Sequence, residues 1–151
     1  MSAIDLEIKR AEAVDQVVNG FKGNVRGLDV TNFEVGDVFT FPKEYKVFER
    51  DLNGTPVQYI LVECENGTVK QFFPSSMWKA RAIYNDNGKP TGKRAKASGK
   101  VVEKAQEFAT VQEAMDALKD NKVKITAVTP HQVMGYNRTL ATTTFLTIDF
   151  A

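Results

Sequence analysis

Apolar side chains recur at helical spacing near the start of the chain. In residues 2–18 they line one face, and charged side chains occupy the opposite face. Ser2, followed three residues later by Asp5, resembles a capping box. The pattern predicts an amphipathic helical arm, residues 1–20, whose apolar stripe needs a partner surface on this chain or on a neighbouring subunit. The stripe consists of Ile4, Ile8, Ala11, Val14 and Val18.

From Phe33 onward the apolar positions alternate with the period of β-strands. Asn53-Gly54 and Asn66-Gly67 each separate two β-rich runs, and such dipeptides are typical of type I′ hairpin turns, in which both central residues need positive φ. The middle run is apolar on both alternating faces, which predicts a central strand covered on both sides. The pattern as a whole predicts an antiparallel meander with strands at residues 45–52, 56–63 and 68–73.

The second half of the chain predicts a short helix and two closing strands. Thr110 and Glu113 form a capping box before the apolar stripe of the helix, and Asn121 ends it. The runs "KVKITAV" and "TLATTTFLTIDF" alternate as strands and are separated by the looser "TPHQVMGYNR". Residues 85–100 are rich in Gly, Pro and Lys and predict a basic, flexible insert, while the structure of residues 75–109 stays open.

This order of elements predicts an α+β, β-rich fold. Three strands, a helix and two closing strands are typical of a small antiparallel β-barrel, OB-like or SH3-like, over residues 33–151. The N-terminal helix would precede this single domain, and one short helix would come before the last two strands. A small sandwich with a packed helix also fits the pattern.

Charge changes the picture only locally. The 151 residues contain 20 Lys and Arg against 19 Asp and Glu, a net charge of +1, so no strong overall field favours nucleic acids or membranes. Without residues 89–100, however, 15 basic residues face 19 acidic ones, a net charge of −4. No run of eighteen apolar residues predicts a membrane span. The basic character is therefore concentrated in the insert.

The residues that could carry catalysis are sparse. Cys64 lies on a predicted strand, and His131, the single histidine, lies in a predicted loop far along the chain. One Cys and one His cannot form a closed zinc site, and no phosphate-binding loop is present. We therefore expect no enzyme activity, no catalytic residue, no metal and no cofactor, and no small-molecule substrate.

A binding surface is the remaining candidate. Aromatic side chains lead directly into the basic insert, and single-stranded nucleic acids are bound by aromatic platforms beside cationic grooves. An acidic protein surface would suit the same cations. The residues that could contact a partner protein or nucleic acid are Phe72, Phe73, Trp78, Arg81, Tyr84, Lys89, Lys93, Arg94, Lys96 and Lys100. The side chains that would dock the arm are Ile4, Ile8 and Val14.

Three passages give the chain a family resemblance: "FFPSSMWKARAIYNDNGKPTG", "AQEFATVQEAMDALKDNKVKITAV" and the closing "TTTFLTIDF". Over residues 36–150 it resembles small virion-associated, auxiliary capsid-type proteins of crAss-like tailed phages. The resemblance implies a non-enzymatic capsid role with contacts to a major capsid protein, in the virion or in the host cytoplasm during assembly. It assigns no individual residue. The alternative is an OB-like single-stranded-DNA-binding protein that uses aromatic stacking and the basic insert.

Overall fold

A computed structural model describes residues 2–21, 32–52 and 54–151 of the chain. The helices of this part are α1 (Ala3–Val14), α2 (Lys100–Ala105) and α3 (Val111–Leu118), with 3-10 turns at Pro74–Met77 and Tyr136–Arg138. The strands are β1 (Gln16–Val18), β2 (Val38–Thr40), β3 (Val47–Leu52), β4 (Thr55–Glu63), β5 (Val69–Phe72), β6 (Arg81–Tyr84), β7 (Pro90–Ala95), β8 (Lys122–Met134) and β9 (Leu140–Phe150). The fold is α+β and rich in strands, with a helix near the N-terminus, as the sequence predicts.

Helix α1 starts at the predicted cap and lies on the chain's own sheet. The Ser2 hydroxyl accepts a hydrogen bond from Asp5 N at 3.3 Å, which satisfies one free donor of the first turn. Ala11 is buried and Ile8 packs beside it against Phe48 and Tyr59. The helix ends at Val14 because Asp15 is extended, and the next three residues form β1, which pairs with β3. The helix therefore ends four residues earlier than the apolar periodicity of residues 2–18 predicts.

The predicted meander is confirmed. Strands β3, β4 and β5 pair in sequence as antiparallel neighbours, and β1 adds an edge, so the order is β1-β3-β4-β5. Alternate residues of β4 point to two different cores: Val57, Tyr59 and Leu61 to the one under α1, and Ile60 and Val62 to the main one. The prediction of a strand covered on both sides is also confirmed, since burial on both faces explains its near-continuous apolar run.

The hairpin turns lie where they are predicted, but one differs in type. Gly67 has a φ of +87°, whereas Asn66 is not among the residues of positive φ, and Gly67 N donates to Cys64 O at 2.9 Å. This is a type I turn followed by a left-handed glycine rather than a type I′ turn. Asn66 accepts from Thr68 N with its side chain, which holds the turn. Asn53 lies outside the described residues, so the type of the other turn stays a prediction.

The barrel is corrected to open sheets. In the described part of the chain, β2, β8 and β9 form a second antiparallel sheet and β6 and β7 a two-stranded ribbon. The first two sheets meet at a corner, where Phe39 of β2 bridges to Cys64 just beyond β4. No further pairing among these residues closes the sheets on one another. Helices α2 and α3 cover the main core instead, because their buried residues pack into it.

Three local expectations also change. Two helices, α2 and α3, precede the last two strands, not one. Strand β8 runs through Pro130 to Met134 because it pairs with β9 up to Met134 and Leu140, so the segment "TPHQVM" is not a loop. Around Pro130, β8 is paired on one side only, with β9, in the described sheets. Its other edge is unpaired, and a residue without a backbone N–H is tolerated there because no ladder hydrogen bond is lost. Residues 85–100 contain the paired strand β7 and are not a flexible insert.

A partly buried hydrogen bond joins β4 to the junction of α1 and β1. The Tyr59 hydroxyl donates to the Asp15 carboxylate, and the Tyr59 side chain is fully buried. Burial, and then the neighbouring Asp15, raise the pKa of Tyr59 above its ordinary value of 10.0. A raised pKa means that the neutral phenol stabilises the fold at every pH below 10, and that this contribution is lost as the pH rises further.

Replacing Tyr59 with Phe is expected to lower the free energy of unfolding at pH 7 by about 1–3 kcal/mol, because Asp15 loses a donor to its charged group. Above pH 10 the wild type should lose stability more steeply than Tyr59→Phe. Urea denaturation between pH 7 and pH 11 measures both effects. Equal slopes for the two proteins above pH 10 would show that the Tyr59 phenol does not govern the alkaline loss.

Candidate functional site

The basic segment is an ordered ribbon formed by β6 and β7. Its turn is held by the Asn85 side chain, which accepts hydrogen bonds from Asn87 N and Lys89 N, both at 3.0 Å. Gly88, with a φ of +75°, donates from its N–H to Asn85 O. The turn and the antiparallel pairing place the cations of β7 along an edge of defined geometry.

The ribbon packs on the hairpin formed by β8 and β9. Ala95, Val133 and Phe145 form a small buried cluster, with Ile83 against it. At the end of the ribbon away from its turn, where Arg81 pairs with Ala95, Arg81 Nη2 donates to Met134 O at 3.0 Å. An apolar cluster and a charged donor thus fix the ribbon relative to the second sheet.

A groove of about 640 Å³ lies between the ribbon and this hairpin. We call it the basic groove. Its cations come from one strand, β7, and from the residue that follows it, while hydroxyl groups come from three segments. Ile83, Ala95, Phe145 and Leu146 form the apolar part of the lining. Its polar and charged lining residues are Lys93, Arg94, Lys96, Ser98, Thr129, His131 and Thr147.

Charge is divided between the segments of the fold. Residues 79–100 and 122–151 together contain ten Lys and Arg against two Asp, a net charge of +8. The other residues contain ten basic against seventeen acidic side chains, a net charge of −7. A net charge of +1 therefore conceals a strongly basic part that contains both ribbon and hairpin. Such a distribution produces a local field that the total charge does not reveal.

The aromatic residues predicted to stack on bases lie elsewhere. Phe72 and Phe73 are buried, at 1% and 4% exposure, on opposite sides of the first sheet. Trp78 packs against the main core and is half-buried. Of the predicted set, Tyr84 alone lies by the cations, half-buried in a neighbouring depression with Arg81 and Arg94. The two phenylalanines therefore have no ring face for a base, because strand alternation directs both of them into cores.

The predicted cations lie at four places. Lys93, Arg94 and Lys96 line the basic groove, and Arg81 anchors the ribbon. Lys89 is exposed beside the turn of the ribbon. Lys100 begins α2, where its side chain pairs with Glu103 at 3.4 Å.

A hydrogen bond from Lys100 ties α2 to β9. The Lys100 N–H donates to Asp149 at 2.9 Å, and this bond, followed by one from the Thr126 hydroxyl, lowers the pKa of the Asp149 carboxyl. Because the folded-state pKa is depressed, the ionised Asp149 favours the folded state at neutral pH, and this is lost in acid.

The predicted docking residues of α1 differ in their exposure to solvent. Ile8 packs on the chain's own sheet and Ile4 is half-buried, whereas Val14 is 79% exposed. Val17 of β1, which the sequence pattern did not single out, is 46% exposed. The division of the chain into an arm and a body stays a prediction, but the helix itself contacts β4 and β5.

The sequence reasoning also missed part of the groove. Ser98, Thr129, His131 and Thr147 line it, although the last three belong to strands that are distant from the basic segment in sequence. A signal in the sequence exists for Thr147 alone, because β9 is rich in Thr and Thr147 lies between the buried Leu146 and Ile148. Without knowing that β7 packs beside β8 and β9, no spacing in the sequence joins these residues.

Cys64 and His131 are not brought together. Cys64 bridges to Phe39, which pairs with Val123, and His131 lies eight residues along β8 from there, a contour of roughly 26 Å. Burial raises the pKa of the Cys64 thiol, which disfavours the reactive thiolate. His131 stacks edge-on to Phe145, with 5.6 Å between ring centroids. Among residues 2–21, 32–52 and 54–151, no group of three or more His, Cys, Asp or Glu is placed to hold a metal ion.

Comparisons with known proteins add no relative. No protein-family model, no curated protein and no solved structure matches the chain. The resemblance to auxiliary capsid-type phage proteins therefore stays a prediction from the sequence. Within the described part of the chain, no helix is both long and apolar enough to cross a membrane.

Proposed function

We propose that this protein is a non-enzymatic structural subunit of a phage virion, of auxiliary capsid type, that acts through contacts with a major capsid protein. The observation that carries the proposal is the apolar surface where α1 passes into β1. Of the large apolar side chains exposed among the described residues, Val14 and Val17 lie three residues apart at this junction, and Leu6 lies about two turns earlier on α1. Exposed apolar side chains concentrated in this way are typical of surfaces that bind another protein.

The junction is suited to docking because packing and a hydrogen bond hold it on the chain's own sheet. The buried face of α1 is already occupied by the chain's own sheet, and the Tyr59–Asp15 hydrogen bond fixes the turn between Val14 and Val17. A partner would therefore meet a preorganised surface and would not have to order a free arm, which lowers the entropic cost of binding. The proposal does not depend on a closed barrel.

The alternative function, single-stranded-DNA binding by base stacking, has less support. Both Phe72 and Phe73 are buried, so two of its four proposed platforms cannot reach a base. A stacking site needs exposed rings along a groove.

The test uses the major capsid protein encoded by the same genome. The two proteins are co-expressed, assembled shells are isolated on a density gradient, and the ratio of the two chains is measured. We expect this chain to sediment with the shells, and Val14→Lys to reduce its bound amount at least tenfold. Lys near a helix C-terminus is favourable, so α1 should remain folded.

The matched control is Val35→Lys, which places the same charge on another exposed valine, 64% exposed. It should leave the bound amount within a factor of two of wild type. Absence of the wild-type chain from the shells would refute the capsid role. Equal loss with both variants would refute the α1–β1 junction as the contact.

A further inference from the structure

We propose that the basic groove binds the phosphodiester backbone of a nucleic acid, without stacking on the bases. This inference goes beyond the proposed capsid role and uses different residues from the α1–β1 junction. It assigns a ligand to cations that a capsid contact at Val14 leaves unexplained.

The first support is that the groove cations are uncompensated. Lys93, Arg94 and Lys96 have no carboxylate within 4.0 Å among the residues that the structure places. Arg94 Nη2 instead donates to Ala80 O at 3.2 Å, which steadies the guanidinium and leaves its charge unpaired. The ion pairs of the described chain involve other cations, namely Arg10, Lys46, Lys100, Lys104, Lys119 and Lys122.

The acidic residues of the same elements are turned to other partners. Asp86 accepts from Gln132 Nε2 at 2.5 Å near the turn of the ribbon. Asp149 accepts from Lys100 N and from Thr126. Neither aspartate lines the groove, so its cations are available to an anion from outside the chain.

The second support is the geometry of the lining. Residues 93–96 span about 10 Å of extended chain, which is the axial length of about three nucleotides of one strand of B-DNA. Across from them, Ser98 and Thr147 bring their hydroxyl oxygens to 3.0 Å from each other, and Thr129 adds a third hydroxyl. Cations and hydroxyls that line one groove are the groups that proteins most often use to contact phosphate oxygens.

The third support decides against base stacking. The phenyl ring in the groove, Phe145, is only 5% exposed, and the edge contact with the half-buried His131 ring directs both rings toward each other. The apolar part of the lining therefore supports the ribbon and offers no ring face to a base. Binding should depend on the number of phosphates and be nearly independent of the bases.

Fluorescence anisotropy tests this with the full-length chain and a labelled dT20, titrated between 50 and 300 mM NaCl. Each phosphate contact on a single strand contributes about 0.7 to the slope of log K against log salt. The triple variant Lys93→Ala/Arg94→Ala/Lys96→Ala should therefore lower the slope by about 2 and weaken binding about 100-fold at 0.1 M salt. The double variant Lys93→Gln/Lys96→Gln, which spares the Arg94 hydrogen bond, should lower the slope by about 1.4.

The matched control, Lys43→Ala/Lys104→Ala/Lys119→Ala, changes the net charge equally at cations outside the groove, and should stay within threefold of wild type. A 20-unit abasic strand should bind within threefold of dT20. The groove assignment is overturned if dT20 does not bind at 50 mM NaCl or if both triple variants lose affinity equally. It is also overturned if poly-glutamate binds as tightly as dT20, which would indicate an acidic protein as ligand.

A tenfold preference for dT20 over the abasic strand would overturn the claim that bases are not contacted. None of these results depends on co-sedimentation with capsid shells. Failure of the groove proposal and failure of the capsid role are therefore observed separately.

Discussion

Replacing Phe72 with Ala is expected to lower the free energy of unfolding by about 3–5 kcal/mol, the usual cost of truncating a buried phenylalanine. The Phe72 ring is 1% exposed and lies 5.5 Å from the ring of Phe41 and 5.9 Å from that of Phe39, centroid to centroid. The truncation would leave a cavity where the two sheets meet the helices. Chemical denaturation followed by circular dichroism measures the change.

This variant also separates a core role from a base-stacking role. The matched control is Phe150→Ala, at a ring that is 43% exposed, which should cost less than about 1 kcal/mol. Phe72→Leu should fold with a smaller loss, and its affinity for dT20 should equal that of wild type. A Phe72→Ala protein with unchanged stability and weakened oligonucleotide binding would contradict the core placement.

Gly99→Ala is expected to cost at least about 3 kcal/mol, since it combines backbone strain with an overlap that cannot be relieved by a side chain. Gly99 has a φ of +103°, and an added Cβ would lie 2.2 Å from the Ile148 carbonyl oxygen. The chain crosses the edge of β9 here: Ser98 N donates to Leu146 O and Ile148 N donates to Ser98 O. The Gly99 carbonyl then accepts the first hydrogen bond of α2.

Gly36→Ala is the control for the strain alone. Gly36 has a similar φ of +95° and has no atom within 4 Å of an added Cβ, so its cost should remain at about 1–3 kcal/mol. The difference between the two variants, measured by urea denaturation, isolates the contact with β9. Equal costs would show that β9 does not obstruct a Cβ at position 99.

Local patterns predicted the parts of the fold that local forces decide. The caps at Ser2 and Thr110 and the meander from β3 to β5 follow from side chains a few residues apart. The burial of β4 on both sides could also be predicted, because apolar residues occur at the odd-numbered and at the even-numbered positions of this strand. In each case the deciding residues lie within one element or one turn.

What could not be predicted depends on which elements become neighbours. Helix α2 has six residues and its cap, Gly99, forms no side-chain hydrogen bond, so its sequence shows no helix start. It is helical because Val101, Val102 and Ala105 complete the main core. Likewise Pro130 argues against a strand, yet tertiary pairing with β9 extends β8 past it.

The site was predicted in part for the same reason. The cations of residues 89–100 lie close together in the sequence, so they could be predicted as a cluster. The hydroxyls and His131 across the groove come from other segments and could not. The aromatic residues before the insert predicted base stacking because they lie next to the cations in the sequence. Their burial depends on the packing of the sheets, which the sequence does not show. The sequence shows the basic character of residues 89–100 directly. The net charge of +8 over the ribbon and hairpin segments becomes apparent only once these segments are known to pack together.

Hydrogen exchange of backbone amides in residues 3–18, followed by mass spectrometry for the free chain and for the chain bound to capsid shells, tests the capsid role most directly. A docked α1–β1 junction predicts that amides around Val14 and Val17 exchange at least tenfold more slowly on the shell, while those around Val35 are unchanged. Unchanged exchange throughout residues 3–18 on purified, chain-bearing shells would contradict a contact made by this junction.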